Sequence, residues 1–330
     1  MERGAVFIAR ATSERDLPMG PIALFFIATL IWGSTWLAIT FQLGVVAAEA
    51  SVVYRFALSA LMLAAWCLAS GRSLRFSPGE HAWFAAQGAL LFGLNYLCVY
   101  RAEQHIASGL VAVLFSLIVF LNLVGVRVFF AIPINQRTLL GAALGVTGVA
   151  LLFWRELADM QTDALRGILF GLAATVSASG GNLLAVRNQR RGVPLLPGVA
   201  WGMAYGTLTI AVVAAVTGIE WTFDPRPGYV LSLLYLAAFG SVIAFAAYLT
   251  LLGRIGAARA GYVGVAVPVV ALLLSTMFEH YQWTLPALLG AALCLAGNVL
   301  VLMQRVDPET GKSTHPSSHR MNSSKTRTDS

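Results

Sequence analysis

The stretch LLGAAL occurs twice in this chain, at residues 139–144 and again at residues 288–293. A second set of identities keeps a constant spacing of 152 residues and pairs Gly88, Tyr96, Leu97 and Gly109 with Gly240, Tyr248, Leu249 and Gly261. Self-similarity at a long period indicates one structural unit written twice. We therefore predict two repeats, each closed by the segment that carries the hexamer.

The composition places both repeats in a membrane. Of the 330 residues, 58% are hydrophobic and 11% are charged, and the mean hydropathy is +0.75. A water-soluble domain of this composition would expose large apolar patches. Lipid-facing strands alternate apolar and polar residues, whereas residues 110–126 are apolar nearly all round. The sequence predicts an all-α integral membrane protein.

A helix needs about 20 apolar residues to cross the hydrocarbon layer, and by this measure we predict ten transmembrane helices, five in each repeat. They cover residues 21–40, 50–69, 82–99, 107–129, 138–154, 167–186, 196–217, 228–252, 260–278 and 285–303. The first repeat is then 21–154 and the second 167–303, with an N-terminal segment 1–20, a linker 155–166 and a polar, disordered tail 304–330. An odd number of crossings per repeat inserts the second copy upside down, an architecture of many secondary transporters.

Lys and Arg residues predict the orientation. With the N-terminus inside, seventeen of them lie on the cytoplasmic side and only four on the other, namely Arg101, Arg155, Arg166 and Arg226. The positive-inside rule then predicts cytoplasmic termini and a linker on the opposite, periplasmic side of the membrane. This use of the net charge of +7 gives no reason to expect nucleic-acid binding. The cluster Arg187, Arg190 and Arg191 fits such an anchor better than specific recognition of anionic lipids.

The spans do not supply the groups that an enzyme would need. No nucleophile, base or ligand set stands at a workable spacing, and Glu279 and His280 are adjacent and so point to different faces of a helix. We therefore predict no catalysis, no metal and no cofactor. The carboxylates Glu49, Glu103 and Glu279 lie near outer span ends rather than at mid-membrane. Proton coupling is disfavoured by this placement, and uniport, exchange or an unconventional relay stay open.

Arg55 is the one basic residue well inside a predicted span. A charge there is costly to expose to lipid, so the side chain should face other helices or water. It could guide the carboxylate or phosphate of a solute. It could equally be structural, either snorkelling outward or pairing with Glu279.

Polar and aromatic side chains in the spans are candidates for lining a solute cavity, although each alone is more often packing or part of an aromatic belt. Together with Arg55 the predicted substrate-binding residues are Trp32, Ser34, Asn95, Tyr96, Asn182, Trp201, Tyr205 and Tyr248.

Three GxxxG pairs mark close helix packing, within one chain or between two chains of a homodimer: Gly141 with Gly145, Gly167 with Gly171, and Gly202 with Gly206. Pro268 should kink the ninth helix.

Four motifs give the chain a resemblance to the drug/metabolite transporter superfamily with two EamA-type units, over residues 22–303. They are WGSTW from Trp32, YRFALSALML from Tyr54, the run from Gly253 to Glu279, and the hexamer that closes each half. The resemblance implies a ten-helix inverted-repeat carrier in the inner membrane, with a central cavity between the halves and, in many members, efflux of amino acids or other small metabolites. It carries over Trp32, Ser34, Arg55, Pro268 and Glu279; the first unit departs from the pattern, with Ser116 and Arg127 where the second holds Pro268 and Glu279.

These observations favour a transporter that exports small solutes by rocking two halves around a central site. A ligand sensor or scaffold with the same fold but no net transport is the alternative. The expected partners are a small-molecule solute and the lipid bilayer. A membrane enzyme is the weakest interpretation, because the spans lack a catalytic cluster.

Overall fold

The computed structural model describes residues 19–130, 136–154 and 162–302, and within these ranges all regular structure is helical. In chain order the helices are α1 (Pro21–Thr40), α2 (Ala48–Ala69), α3 (Pro78–Glu103), α4 (Ser108–Phe115, continuing as Ile118–Phe130), α5 (Gln136–Leu152), α6 (Thr162–Arg190), α7 (Leu195–Thr217), α8 (Pro227–Tyr235, Leu236–Ile243 and Ala244–Ala260), α9 (Tyr262–Phe278) and α10 (Leu285–Leu302).

Eight of these helices are long and apolar enough to cross a membrane, and α5 and α9 are shorter apolar helices. The all-α membrane architecture is therefore confirmed, while the count of ten crossings stays a prediction. The predicted tail and residues 1–18 lie outside the described residues. Of the predicted linker 155–166, residues 155–161 are also outside them, and helix α6 already begins at Thr162.

Helix α3 begins four residues before its predicted start, for a reason that the sequence contains. Glu80 donates its backbone N–H to the Ser77 hydroxyl over 3.3 Å, and the Glu80 carboxylate accepts the Ser77 N–H over 2.8 Å. Pro78 occupies the first helical turn. This reciprocal cap satisfies two N–H groups that would otherwise lack partners, so the helix extends beyond its apolar stretch.

Helix α4 is interrupted at Ser116, which the sequence analysis did not predict. The Ser116 hydroxyl donates to the carbonyl of Val113 over 2.7 Å, and the Ser116 N–H is shared between the carbonyls of Ala112 and Val113. A serine that bonds its own backbone competes with the regular ladder. In the second repeat, where Pro268 stands instead, α9 runs as one helix through the proline.

The two hexamer helices, α5 and α10, pack against each other along their glycines. A Cβ on Gly148 would lie 2.6 Å from the carbonyl oxygen of Gly290, and one on Gly141 would lie 2.8 Å from that of Gly297. The later residue of one helix thus meets the earlier residue of the other, so equivalent helices run antiparallel. This direction is what an inverted repeat requires.

The other helix contacts also come in pairs related by the repeat. Helix α3 packs on α6 as α8 packs on α1, α4 packs on α6 as α9 packs on α1, and α3 packs on α7 as α8 packs on α2. Helices α2 and α7, and likewise α4 and α9, pack on their own counterparts. Every one of these contacts joins the first repeat to the second, so the repeats interlock.

The three GxxxG pairs all pack inside the chain. Their six glycines are buried, and an added Cβ would collide with a neighbouring helix or loop of the same molecule, for example with Ile106 at Gly167 and with Phe92 at Gly202. These faces are therefore not free for a second copy of the chain. A homodimer, if it forms, must use another surface.

Candidate functional site

A widened π-helical stretch interrupts the third helix of each repeat, at Ala89–Leu94 in α3 and Leu236–Ile243 in α8. Such stretches frequently mark functional sites. Side chains bond the carbonyls there: Ser177 of α6 donates to Leu90 over 2.8 Å, and the Trp32 indole of α1 donates to Gly240 over 3.1 Å. Each donor comes from the other repeat, so the π stretches lie on the interface between repeats.

Aromatic rings fill the space between the two π stretches. The Trp32 ring lies 5.2 Å from Phe245 and 5.1 Å from the predicted Tyr248, centroid to centroid. Phe92 joins this group to the rest of the first repeat, at 6.4 Å from Phe245 and 5.7 Å from Phe56. The centre, where a cavity was predicted, is thus occupied by rings in contact.

Arg55 lies at the edge of this aromatic cluster and is 1% exposed. Its guanidinium carbon stands 4.6 Å from the ring centre of Tyr96 and 5.1 Å from that of Phe56, a cation–π arrangement. It also lies beside the hydroxyl of Tyr100. Among the described residues, Nε and Nη1 of Arg55 have no hydrogen-bond acceptor. Arg55 is the seventh residue after the start of α2, which places it about 10 Å inside the helix end.

Neither structural alternative for Arg55 matches this geometry. A snorkelling side chain would be exposed, and the predicted partner Glu279 is used elsewhere. The Glu279 carboxylate accepts the Ser108 N–H over 3.1 Å and the Ser108 hydroxyl over 2.5 Å. Ser108 is the first residue of α4, so Glu279 caps the N-terminus of that helix, where a negative charge is favourable.

We call the helix ends near residues 41–49, 101–108, 218–226 and 278–280 the outer mouth, following the predicted orientation. A hollow of about 740 Å³ opens there between residues 43–49, residues 219–222 and the end of α3. Arg101 pairs with Glu49 over 2.6 Å on its wall. Below it, the Tyr100 hydroxyl donates to the side-chain carbonyl of Gln42 over 2.6 Å. The outer mouth therefore combines open space with buried polar groups.

The helix ends near residues 70–81 and 187–205 form the inner mouth, and it is closed. The Trp201 indole donates to the carbonyl of Leu74 over 3.0 Å, and the Tyr205 hydroxyl lies 3.1 Å from Nδ1 of His81. The Asn188 amide donates to Gln87 over 2.8 Å. The predicted site residues Trp201 and Tyr205 thus lie at the inner mouth rather than beside Arg55.

Three predicted residues occupy other places on the interface between repeats. Asn95 is buried and donates its amide to Leu91 of its own helix over 3.0 Å, while its side-chain oxygen has no partner in the described part of the chain. Asn182 is half-buried on α6, and its neighbour Gly181 packs against Leu91. The Ser34 hydroxyl lies 2.7 Å from that of Tyr235.

The structure therefore gathers Trp32 with Tyr248, Arg55 with Tyr96, and Trp201 with Tyr205, but it does not bring these pairs and the remaining candidates into one site. Tyr100, just beyond the third predicted span, was a possible cavity residue, whereas Gln42 at the outer mouth and His81 at the inner mouth were not predicted. All three lie at or beyond predicted span ends, where a polar or aromatic residue is ordinarily interfacial. Only their tertiary contacts distinguish them.

Comparison with known proteins agrees with this architecture. The uncharacterized transporter YoaV of Bacillus subtilis is 26% identical over 82% of this chain and 92% of its own length. The uncharacterized inner membrane transporter YedA of Escherichia coli is 29% identical over 76% and 80%, and Protein PagO of Salmonella typhimurium 22% over 90% and 97%. A crystal structure that is 18% identical superposes with a TM-score of 0.60, over 85% of this chain and 96% of that one, which shows the shared fold.

The family assignment rests on both repeats. The model of the EamA-like transporter family matches residues 19–154 and, separately, residues 165–303. The two matches coincide with the two interlocked halves of the structure, α1 to α5 and α6 to α10. This chain belongs to the EamA-like transporter family.

Proposed function

We propose that this protein is a secondary transporter that exports amino acids or other small metabolites across the inner membrane by alternating access, with both termini in the cytoplasm. Its membrane location and transporter family support this function. The observation that carries the choice of solute is Arg55, a fully buried guanidinium with two nitrogens that lack acceptors in the described chain. Such a group is costly unless a carboxylate or phosphate completes its bonds.

The two mouths support alternating access. The outer mouth has a hollow of about 740 Å³, whereas the inner mouth is closed by the contacts of Trp201, Tyr205 and Asn188. In this state a solute would enter the hollow from outside, and the surroundings of Arg55, which is 1% exposed, would have to open further for the solute to reach it. Opening the inner mouth requires those hydrogen bonds to break and the interlocked repeats to tilt against each other.

Within this proposal the aromatic residues Trp32, Tyr96 and Tyr248 provide contact surface for the solute once the halves separate. Asn95 offers an unsatisfied amide oxygen to a donor on the solute. Asn182 lies within reach of the same interface, and Asn182→Leu should alter exchange while leaving expression unchanged. Unchanged exchange kinetics would remove Asn182 from the site.

Two linked measurements test the proposed function. A thermal-shift screen of the purified protein against amino acids, nucleosides, organic anions and organic cations identifies a binder, because a solute bound by the folded state raises its apparent stability. Proteoliposomes preloaded with that solute should then take up its labelled form by counterflow. A ligand that binds but does not exchange would favour the sensor or scaffold alternative.

A further inference from the structure

Three buried or half-buried glutamates of the outer mouth differ in how they are satisfied. One carboxylate oxygen of Glu49 is paired with Arg101 over 2.6 Å, while the other has no partner in the described chain. Glu279 accepts two hydrogen bonds from Ser108. Glu103 is 8% exposed, and both of its carboxylate oxygens lack a hydrogen-bond partner in the part of the chain that the structure describes.

The surroundings of Glu103 do not support a permanent negative charge. Glu103 is the last residue of α3, where the helix carbonyls oppose a carboxylate. Glu279 adds a second negative charge from the end of α9, and Arg55 of α2 is the cation that acts on Glu103. Glu103 and Arg55 do not form an ion pair, since both oxygens of Glu103 are without a partner.

The remaining groups on neighbouring elements are already engaged. Glu49 of α2 is bonded to Arg101, and Asp163 of α6 is bonded to His105 over 2.7 Å. The hydroxyl of Tyr100 is donated to Gln42. Helix α1 contains no titratable side chain. A buried carboxylate without a partner is unfavourable by several kcal/mol, so Glu103 needs either a proton or the guanidinium of Arg55.

We propose that Glu103 is a proton-binding site whose occupancy depends on Arg55. A proton from water in the outer hollow, whose wall includes Glu103, adds to one carboxylate oxygen and gives a neutral carboxylic acid. When the acid loses that proton to water, the carboxylate forms an ion pair with Arg55. The present separation of Glu103 and Arg55 corresponds to the protonated arrangement.

This site gives the transporter a means of coupling, a step that rests on the proposed function. A solute carboxylate bound to Arg55 removes the partner of ionised Glu103 and so favours the proton on Glu103. By linkage the proton favours the anionic solute to the same degree. Solute and proton would then occupy the protein together and move in the same direction, so export down the solute's own outward gradient would carry a proton out with it.

Infrared spectroscopy of the purified protein tests the proton site without any solute. The carbonyl stretch of a protonated carboxylic acid is recorded while the pH is raised, for the wild type, Glu103→Gln and the matched control Glu49→Gln. We expect one band at the high-frequency end, because no donor bonds the oxygen of Glu103. This band should be absent in Glu103→Gln and present in Glu49→Gln. In Arg55→Gln the band should persist to higher pH, because the competing cation is gone.

Two further results keep the test decisive. Glu103→Asp retains a carboxyl group and should retain a band. This variant and a thermal unfolding profile of each protein show whether the loss of the band in Glu103→Gln results from a loss of fold. A wild-type spectrum in which no band depends on Glu103 would overturn the proposal and indicate a permanent ion pair with Arg55. A band without solute exchange would instead overturn the proposed function and leave the proton site standing.

Discussion

The outer and inner mouths are built from equivalent helices of the two repeats, yet they satisfy their polar groups in opposite ways. At the inner mouth polar side chains bond each other, as Tyr205 bonds His81 and Asn188 bonds both Gln87 and Arg187. At the outer mouth charged side chains are buried, and Arg55 and Glu103 keep atoms without partners within the described chain. The repeat provides the scaffold, and substitutions within one copy provide the chemistry.

The two repeats also differ in packing at equivalent glycines. A Cβ on Gly88 would lie 2.3 Å from the backbone oxygen of Gly202 and 2.9 Å from the nitrogen of Gly206. A Cβ on Gly240 would meet a side-chain methyl group of Thr35 at 2.8 Å. Backbone atoms of a packed helix cannot rotate away, whereas a side chain has some freedom.

The largest expected effect is therefore the difference between Gly88→Ala and Gly240→Ala. Overpacking a tight site costs about 1–3 kcal/mol, and we expect Gly240→Ala at the lower end and Gly88→Ala at or above the upper end. Thermal unfolding in detergent should show a much larger loss of apparent Tm for Gly88→Ala. Equal losses would mean that the two repeats pack alike at this position, contrary to the structure.

The next effect concerns the buried positive charge of Arg55. A hydrogen bond to a charged group is worth about 1.5–3 kcal/mol, so Arg55→Gln should weaken binding of a carboxylate-bearing solute about 10- to 150-fold. Neutral solutes should be affected much less. Isothermal titration or counterflow with matched anionic, zwitterionic and neutral solutes measures the difference.

Arg101→Gln is the control for that experiment. It removes a cation from the same mouth, but one that is 37% exposed and paired with Glu49, so its effect on solute binding should be small. Its thermal stability should fall, because buried Glu49 loses its partner. An equal loss for all solute classes in Arg55→Gln, with reduced thermal stability, would assign Arg55 a structural role instead.

A smaller effect tests the cross-repeat bonds at the π stretches. Ser177→Ala removes the donor to Leu90, and Trp32→Phe removes the donor to Gly240. Hydrogen bonds between membrane helices average about 0.6 kcal/mol, so Ser177→Ala should destabilise by about that amount. Trp32→Phe should cost more, because the indole also contacts Phe245 and Tyr248. Thr209→Val, whose hydroxyl bonds its own helix, should have less effect than either variant.

Much of the fold could be predicted from the sequence because lipid imposes simple rules. Apolar length located the helices, and the glycines of the repeated hexamer did mark the packing of α5 on α10. Predicted helix ends differed mainly where polar residues extend a helix, as at Ser77 and at Thr162. The break at Ser116 and both π stretches were not predicted, since they depend on hydrogen bonds that no apolar pattern records.

The candidate site was predictable only in part, because the position of a residue in a span does not show which helix its side chain faces. Trp201 and Tyr205 were therefore grouped with Arg55, although they contact Leu74 and His81. Glu103 was set aside because it lies at a span end. Its burial results from the neighbouring helix ends, which the sequence of α3 alone does not contain.

The smallest expected effect lies in the outer loop before α8 and depends on pH. Arg226 bonds both carboxylate oxygens of Asp224, and these bonds hold the pKa of Asp224 below its ordinary value. A carboxylate with a lowered folded-state pKa adds stability above its unfolded pKa of about 3.9, and that stability is lost as the pH falls below it. Asp224→Asn should therefore lower the apparent Tm slightly at pH 7 and by less near pH 3. Exposed Glu220 in the same loop supplies the control, as Glu220→Gln should change little at either pH. The Asp224 carboxylate also accepts the backbone N–H of Arg226 over 3.0 Å. If Asp224→Asn lowers the Tm equally at both pH values, Asp224 acts through this backbone bond and its charge contributes nothing to stability.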